Sequence, residues 1–296
     1  MLSVLVACLP LDMIYKIYRI LFFYDLINHV NPVTSYCQFF GFLKGKNSLK
    51  KLVLLTNDDG VFAPGIQVLR KTVEILWDTV IVAPDREQSA ISHALTLNRP
   101  LRVNIIDDRT MAVDGTPSDC VMLSIMELLD RRPDLVISGI NFGANMGDDV
   151  VYSGTVAGAA EATLLGIPSI AVSLVDPLNT KLEWGAEVAR KVAQAVCAHT
   201  LPKGVFLNVN IPSSATTQRF EVTTLGRRLY RDVIVKKTDP RGRPYYWIAG
   251  QPEKWSGGDG CDFASIERGS ISVTPLHLDM TAAHVFEEIN SWNFNG

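Results

Sequence analysis

LVLLTNDDG, residues 52–60, is the stretch of sequence that decides the fold, because a short apolar run ends abruptly in three polar residues and a glycine. Five residues of this kind, from Leu52 to Thr56, are typical of a strand buried on both faces of a parallel sheet. The same type of run recurs as TVIVA (79–83), LVIS (135–138), SIAVS (169–173) and VFLNVNI (205–211). These runs predict one sheet of mainly parallel strands.

Segments with helical periodicity separate these strands, namely Pro64–Trp77, Thr116–Arg131, Ser153–Leu165 and Leu182–His199. The second segment begins with a threonine that can cap a helix and a proline that suits the first helical position. Strands and helices that alternate in this way predict an α/β fold with helices on both faces of the sheet. We therefore expect a Rossmann-like three-layer core with a parallel-dominated sheet over residues 51–212.

After Pro212 the pattern changes to short strands and loops, so we expect residues 213–296 to form a β-rich arm and a C-terminal tail. The strand-like segments are FEVTTL (220–225), RDVIVKK (231–237) and YYWIAG (245–250). The turn sequence DPRGRP (239–244) predicts that the last two form a β-hairpin. A two-stranded hairpin has little core of its own, so we expect this arm to pack on another subunit.

Residues 1–50 differ from the rest, with nine of the 25 aromatic residues and five basic against two acidic residues. A proline and several charged residues interrupt the apolar stretch over residues 1–30, which therefore does not fit a membrane-spanning helix. The pattern also lacks the basic start and the small-residue cleavage site of a signal peptide. We expect a loosely structured extension outside the folded core or an upstream start codon, with a membrane-surface helix over residues 1–30 as the alternative.

The composition and the motif content exclude several classes of protein. The chain has 296 residues with 28 basic and 31 acidic side chains, and its net charge of −3 argues against a nucleic-acid polymer as partner. Five cysteines without a CxxC pair indicate neither a disulfide framework nor a zinc ribbon, and we expect a cytoplasmic protein. Walker A, GxSxG and HExxH motifs do not occur, and Ala112 stands where a haloacid-dehalogenase phosphatase has its nucleophilic aspartate.

Polar loops follow three of the predicted strands: Asn57–Gly60, Pro84–Ser89 and Gly139–Gly147. Ligands of open parallel sheets bind at the carboxyl ends of the strands, where such loops lie side by side. The convergence of three polar loops on one edge is stronger evidence for a site than any single loop.

Asp58 and Asp59 are candidate metal ligands from the first loop. Two adjacent carboxylates in a turn repel each other, and a hard divalent cation relieves that repulsion. Ser89 and Asn141, from the other two loops, can add neutral oxygen ligands. Each has an ordinary alternative when taken alone, since Asn-Asp-Asp-Gly suits a solvated turn, Ser89 can cap a helix and Asn141 can occupy a turn.

The helix that begins at Ser153, Gly154 and Thr155 is a candidate phosphate site, because backbone N–H groups and hydroxyls meet at a helix N-terminus. The glycine-rich loop over residues 139–147 precedes it and permits close approach of the backbone to a ligand. An ordinary capped helix is the alternative.

Five segments together resemble the survival protein E (SurE) family of nucleotidases. They are LLTNDDGVFAPGIQ (54–67), VAPDREQSAISHALTL (82–97), VDGTPSDCV (113–121), SGINFGANMGDDVVYSGTVAGAAEA (138–162) and DFASIERGSISVTPL (262–276). The resemblance runs from about Lys51 to about Leu278, with the motifs in the family's order. It therefore covers nearly all of the chain outside the extension.

The resemblance implies a phosphatase that hydrolyses nucleoside 5′- and 3′-monophosphates with one divalent cation per subunit, Mg²⁺, Mn²⁺ or a similar ion. Four residues match the family's metal ligands, the first two of them also catalytic: Asp58, Asp59, Ser89 and Asn141. Four more would hold the substrate phosphate: Asn145, Ser153, Gly154 and Thr155. Four others would support the site, with helix capping by Thr116 alone as the alternative: Asn57, Asp114, Thr116 and Asp119.

The resemblance also implies a homodimer or tetramer formed by exchange of the C-terminal arm, and some members of the family trim short polyphosphate. An exopolyphosphatase or a broad phosphomonoesterase with the same site is the alternative activity. A nucleotide-binding protein without turnover is the alternative of another class. The intact acidic pair argues against that last alternative, because a binding protein has no need of a metal that activates water.

Overall fold

A computed structural model describes residues 50–178, 180–213, 219–230, 233–249, 252–292 and 294. The extension predicted over residues 1–50, apart from Lys50, and its membrane contact lie outside these residues. Within them, no helix is both long enough and apolar enough to cross a membrane.

In the described part of the chain, nine strands form a sheet in the order β3-β4-β2-β1-β5-β6-β7-β13-β8. Their bounds are β1 Leu52–Thr56, β2 Asp78–Pro84, β3 Val103–Asp107, β4 Thr110–Val113, β5 Leu135–Phe142, β6 Ser169–Leu174, β7 Val205–Ile211, β8 Phe220–Val222 and β13 Ile271–His277. The six strands from β4 to β7 pair in parallel, whereas β3 and β13 join their neighbours β4 and β7 antiparallel. The predicted parallel-dominated sheet is confirmed.

Helices cover both faces of this sheet. The four longest are α1 Pro64–Val73, α2 Pro117–Leu123, α3 Gly154–Leu164 and α4 Leu182–Ala198, among the residues described. On one face α1 packs with α4, and Ile66 and Leu69 share an apolar cluster with Ile137 of β5. On the other face α2 packs with α3, and Val121 shares a cluster with Leu54 of β1. This layering confirms the predicted Rossmann-like three-layer α/β fold.

The helix predicted over Thr116–Arg131 begins where expected but is shorter. The Thr116 hydroxyl accepts the Asp119 N–H (3.1 Å) and the Asp119 carboxylate accepts the Thr116 N–H (2.9 Å), so the two residues form a capping box. The α-helix ends at Leu123 and continues as one π-helical turn, Ser124–Leu128. Ser124 Oγ donates to the Cys120 carbonyl oxygen four residues earlier (2.6 Å). Such a side-chain bond competes with the backbone hydrogen bonds of a helix and often bends it.

The C-terminal segment contains the predicted hairpin and a strand of the main sheet that the sequence pattern missed. β10 (Val233–Thr238) and β11 (Pro244–Ala249) pair antiparallel, which confirms the hairpin. β9 (Arg227–Tyr230) pairs with β12 (Pro252–Ser256). Two short helices follow, α5 (Asp262–Glu267) and α6 (Phe286–Asn290). β13 lies between β7 and β8, so residues 213–296 contribute to the core as well as to an arm, and the division at residue 212 stays a prediction.

Candidate active site

The three polar loops meet at the carboxyl ends of β1, β2 and β5. The pairing of Leu55 with Ile81 and of Thr56 with Ser138 brings the ends of these strands side by side. The Gln88 N–H donates to the Asp58 carbonyl oxygen (2.7 Å), which joins the first loop to the second. The third loop also approaches the first, since the Phe142 N–H lies near enough to the Asp59 carboxylate to lower its pKa.

Asp58 is buried against the N-terminus of α3, with 5% of its surface exposed. The Thr155 hydroxyl donates to its Oδ1. Gly154 makes this approach possible, because a Cβ at that position would lie 2.8 Å from the Asp58 Cβ. Burial raises the pKa of Asp58, and the hydrogen bond from Thr155 partly offsets that effect.

Asp59 is the second carboxylate of the site. Burial, and then the adjacent charge of Asp58, raise its pKa from 3.8 to about 6, while the Phe142 N–H acts in the opposite direction. Its Oδ2 is buried and has no hydrogen-bond partner among the described residues. The site therefore concentrates negative charge that the surrounding protein does not neutralise.

Ser89 and Asn141 lie in the loops next to this pair. Ser89 is exposed, and its hydroxyl donates to Oε1 of Glu87 (2.6 Å). Asn141 donates its Nδ2 to the Gly143 carbonyl oxygen (2.8 Å), which leaves Oδ1 as the end of the amide that can act as a ligand. The sequence prediction missed Glu87, whose charge raises the pKa of both Asp58 and Asp59. The position of Glu87 in the second polar loop was the sequence feature that could have marked it as a residue of the site.

The glycine-rich loop holds Asn145 in a buried network of amides and hydroxyls. Asn145 Nδ2 donates to the Ser173 hydroxyl (2.8 Å), and only 7% of the residue is exposed. Gly139 starts the loop at φ +141°, a conformation that side chains rarely permit, and a Cβ there would lie 2.5 Å from the Val172 carbonyl oxygen. The loop therefore runs close against β6, the neighbouring strand.

Ser153 is the N-cap of α3, because its hydroxyl accepts the Val156 N–H (3.1 Å). Ser153 is 7% exposed and Thr155 is fully buried. Gly154 and Thr155 occupy the first two positions of the helix, where backbone N–H groups have no partner within the helix. The predicted phosphate residues of this segment thus lie directly beside Asp58.

The four predicted supporting residues form hydrogen bonds that shape the loops of the site. Asn57 Nδ2 donates to the Gly60 carbonyl oxygen (2.9 Å) and closes the first loop. Beyond capping α2, Asp119 accepts both the N–H and the hydroxyl of Thr96 (2.9 and 2.6 Å). Thr116 donates to the Ala94 carbonyl oxygen (2.8 Å), and Asp114 accepts the N–H of Arg102 (2.7 Å). The bonds made by Asp119, Thr116 and Asp114 anchor the segment that follows Ser89.

No group of three or more His, Cys, Asp or Glu side chains in the described residues is placed to hold a metal ion. The predicted set contains only two carboxylates, and its other ligands are a hydroxyl and an amide. His93, which lies four residues after the second loop, contacts Glu161 of α3 through Nε2 and Oε2 (2.8 Å). That contact joins the loop to the helix that carries Thr155.

Comparison with known proteins agrees with this geometry. A family model described as Survival protein SurE matches residues 53–232. Two curated relatives, each named 5′-nucleotidase SurE, are similar to this chain. The protein from Geotalea daltonii is 51% identical, over 81% of this chain and 98% of the relative. The protein from Pelobacter propionicus is 49% identical, over 82% of this chain and 99% of the relative.

A solved structure is similar as well. The crystal structure of the SurE protein from Aquifex aeolicus matches with a TM-score of 0.73 and 43% sequence identity. The match covers 81% of this chain and 98% of that one. The chain thus spans almost the whole length of the proteins it resembles.

Proposed function

The chain belongs to the SurE family, and we propose on that premise that it is a metal-dependent phosphomonoesterase that hydrolyses nucleoside 5′- and 3′-monophosphates to nucleoside and phosphate. The observation that carries the proposal is the adjacent pair of Asp58, which is buried, and Asp59, which is half-buried, at the carboxyl edge of a parallel sheet. This is the edge at which open α/β sheets bind their ligands.

The residues of the site fit a divalent cation. The donors are all oxygen atoms, as hard cations such as Mg²⁺ and Mn²⁺ prefer. One buried carboxylate oxygen, Asp59 Oδ2, lacks a partner within the described residues, and the pKa of both aspartates is raised. We assign the ion to Asp58, Asp59, Ser89 and Asn141. When bound, such an ion supplies positive charge to the phosphate and lowers the pKa of a coordinated water.

The protein's own groups would bind the substrate phosphate beside this acidic pair. Gly154 and Thr155 supply N–H groups at the N-terminus of α3, and a helix N-terminus favours a phosphate. Ser153 adds a hydroxyl, and Asn145 adds an amide from the neighbouring loop. Groups held rigidly in such positions stabilise the negative charge that grows on the phosphate oxygens during the reaction.

We assign the orientation of the attacking water to Asp58. Its Oδ1 accepts the Thr155 hydroxyl, which fixes the carboxylate and leaves Oδ2 to accept a proton from water. Because burial raises the pKa of Asp58, this carboxylate is a better proton acceptor than an exposed aspartate. The side chain that receives the proton is thus held by the helix that binds the phosphate.

Phosphate release from AMP, with and without EDTA, tests the proposed function. We expect turnover of AMP, loss of turnover in EDTA and recovery on addition of excess Mg²⁺ or Mn²⁺. The same assay with 3′-AMP, tripolyphosphate and p-nitrophenyl phosphate separates a nucleotidase from a polyphosphatase and from a broad phosphomonoesterase. Binding of AMP without release of phosphate under any of these conditions would identify a nucleotide-binding protein instead.

We also propose that the β10–β11 hairpin pairs with another subunit of a homo-oligomer. The support is its exposed apolar surface, since Ile234, Trp247 and Ile248 are 64%, 63% and 95% exposed in the single chain. Such exposure on a two-stranded arm is typical of an interaction surface. Deletion of residues 231–250 should lower the mass measured by light scattering. An unchanged oligomeric mass would rule out this role of the arm.

A cytoplasmic location is also part of the proposal. The support is that Cys120, Cys197 and Cys261 are free thiols. Reduced thiols are the rule in compartments that maintain a reducing environment.

A further inference from the structure

Two asparagine side chains of β7 hold the backbone of Asn145. The Asn145 N–H donates to Asn210 Oδ1 (2.9 Å), while its carbonyl oxygen accepts Nδ2 of Asn208 (2.8 Å) and Nδ2 of Asn210 (2.9 Å). Both partners lie on β7 and are fully buried. Asn210 therefore pairs with both backbone groups of one loop residue, as a residue of a neighbouring antiparallel strand would.

Asp262, at the start of α5, holds the same loop two residues further on. This carboxylate is fully buried and accepts N–H groups from Gly147 (2.8 Å), Gly226 (2.8 Å) and Phe263 (2.9 Å). Gly147 follows Asn145 in the glycine-rich loop, and Gly226 precedes β9, the strand that leads to the hairpin. One side chain thus joins the candidate phosphate loop to the root of the arm.

The junction is closely packed. A Cβ on Gly147 would lie 2.8 Å from the Gly226 carbonyl oxygen, and a Cβ on Gly226 would lie 2.6 Å from the Phe263 ring. Arg228 of β9 forms an ion pair with Asp149 (2.5 Å), in the 3₁₀ turn Gly147–Val151 that follows the loop. The root of the arm and the loop therefore cannot shift independently without loss of these contacts.

We propose that Asn210 and Asp262 are positioning residues that hold the Asn145–Gly147 backbone in the conformation that presents Asn145 to the substrate phosphate. The inference rests on the proposed function and deepens it. Burial of such polar side chains carries a desolvation cost, which backbone hydrogen bonds to an irregular loop offset. The arrangement also couples the arm to the phosphate loop, since Asp262 bonds to both.

Asp262→Asn is the principal test. It keeps the size of the side chain but turns one acceptor oxygen into an NH₂ group, so Gly147 or Gly226 loses its acceptor. In the full-length chain loaded with Mn²⁺, we expect inorganic phosphate to bind about tenfold more weakly and the KM for AMP to rise similarly, as for loss of one charge-assisted bond. Mn²⁺ affinity should stay within about twofold, because the metal ligands are untouched.

Hydrogen exchange gives a readout that needs no activity. Amides of residues 143–151 should exchange faster in Asp262→Asn than in the unsubstituted chain, and also in Asn210→Ala. Asp134→Asn is the matched control, because Asp134 accepts the Leu52 N–H (2.8 Å) at the opposite edge of the sheet. That control should change neither phosphate binding nor exchange in residues 143–151.

Three results would overturn the inference. The first is unchanged phosphate affinity and unchanged exchange in both variants. The second is an equal loss of Mn²⁺ and phosphate affinity, which would indicate collapse of the whole site. The third is faster exchange near Gly226 alone. If the unsubstituted chain releases no phosphate from AMP, the proposed function fails, while phosphate binding and hydrogen exchange still decide the positioning role.

Discussion

At the amino edge of the sheet, the Asp78 carboxylate lies 3.1 Å from Arg109 and 3.7 Å from Arg131, whereas Asp58 and Asp59 at the carboxyl edge have no ion pair with any described residue. Asp78 begins β2, whereas Asp58 and Asp59 follow β1. One sheet therefore has paired carboxylates at one edge and carboxylates without an ion pair at the other, among the described residues. The charges at the amino edge are balanced within the chain. The carboxyl edge keeps a negative pair, one residue buried and the other half-buried, whose natural complement is a cation from solution.

The largest expected effect tests this contrast directly. Asp59→Asn keeps the shape of the side chain and removes one charge from the site, so we expect turnover of AMP to fall by about 100-fold or more through loss of a few kcal/mol of charge stabilisation. Asp78→Asn makes the same chemical change at the amino edge and should alter turnover by less than about twofold, since partly exposed ion pairs contribute little. Steady-state assays at saturating Mn²⁺ measure both.

Near-normal turnover of Asp59→Asn at saturating Mn²⁺ would contradict the assignment of the acidic pair. An equal loss of turnover in Asp78→Asn would show that a negative charge at the amino edge matters to the reaction as much as one at the carboxyl edge.

The next effect separates the hydroxyl of Thr155 from the charges. Thr155→Ala removes the donor to Asp58 Oδ1 and should lower kcat about 10- to 100-fold. This is less than the loss of about 100- to 1,000-fold that follows removal of a donor to a reacting oxygen, because Thr155 acts through Asp58. Thr155→Ser retains the hydroxyl and should keep most of the activity. Mn²⁺ binding, measured by calorimetry, should weaken by less than about threefold in both variants, because no charge is lost.

If Thr155→Ala abolishes Mn²⁺ binding, Thr155 supports the metal site rather than the phosphate. A serine variant as inactive as the alanine variant would place the role in the methyl group and its packing.

The smallest effect concerns stability without metal. The pKa of Asp59 is raised from 3.8 to about 6, so the folded chain binds this proton more tightly than the unfolded chain. The free energy of unfolding should therefore fall as the pH rises from about 4 to about 6. In EDTA near neutral pH, Asp59→Asn should relieve about 1 kcal/mol of this cost, less than the full pKa shift implies because solvent screens the half-buried carboxylate. The Tm should rise by about 2–4 °C.

Thermal unfolding by circular dichroism checks the sign of that effect. Asp134→Asn, at the amino edge, should lower the Tm, because it loses an acceptor for the Leu52 N–H. A lower Tm for Asp59→Asn in EDTA would mean that the ionised pair is not a source of instability. With excess Mn²⁺, Asp59→Asn should have a lower Tm than the unsubstituted chain, because the metal stabilises only the folded chain that binds it.

The strands of the core could be predicted from the sequence because each is a short apolar run buried on both faces. Leu52–Thr56 and Val205–Ile211 were predicted with the bounds observed. A parallel sheet then brings the following loops to one edge, so the proximity of Asp58 to the other polar loops followed from the same pattern. Local periodicity does not predict strands with exposed, very short or interrupted patterns, and β3, β4 and β13 of the main sheet were missed for these reasons.

The sequence by itself determined the α/β class, the sheet edge at which the candidate site lies and the adjacent position of Asp58 and Asp59 in it, because these depend on residues close together in the chain. Only the tertiary structure decided which distant side chains hold that site. Asp262 reaches Gly147 across 115 positions, and Asn210 reaches Asn145 across 65. Such contacts leave no periodic trace in the sequence, because they depend on how β7 lies in the sheet and on how α5 returns to it after the arm.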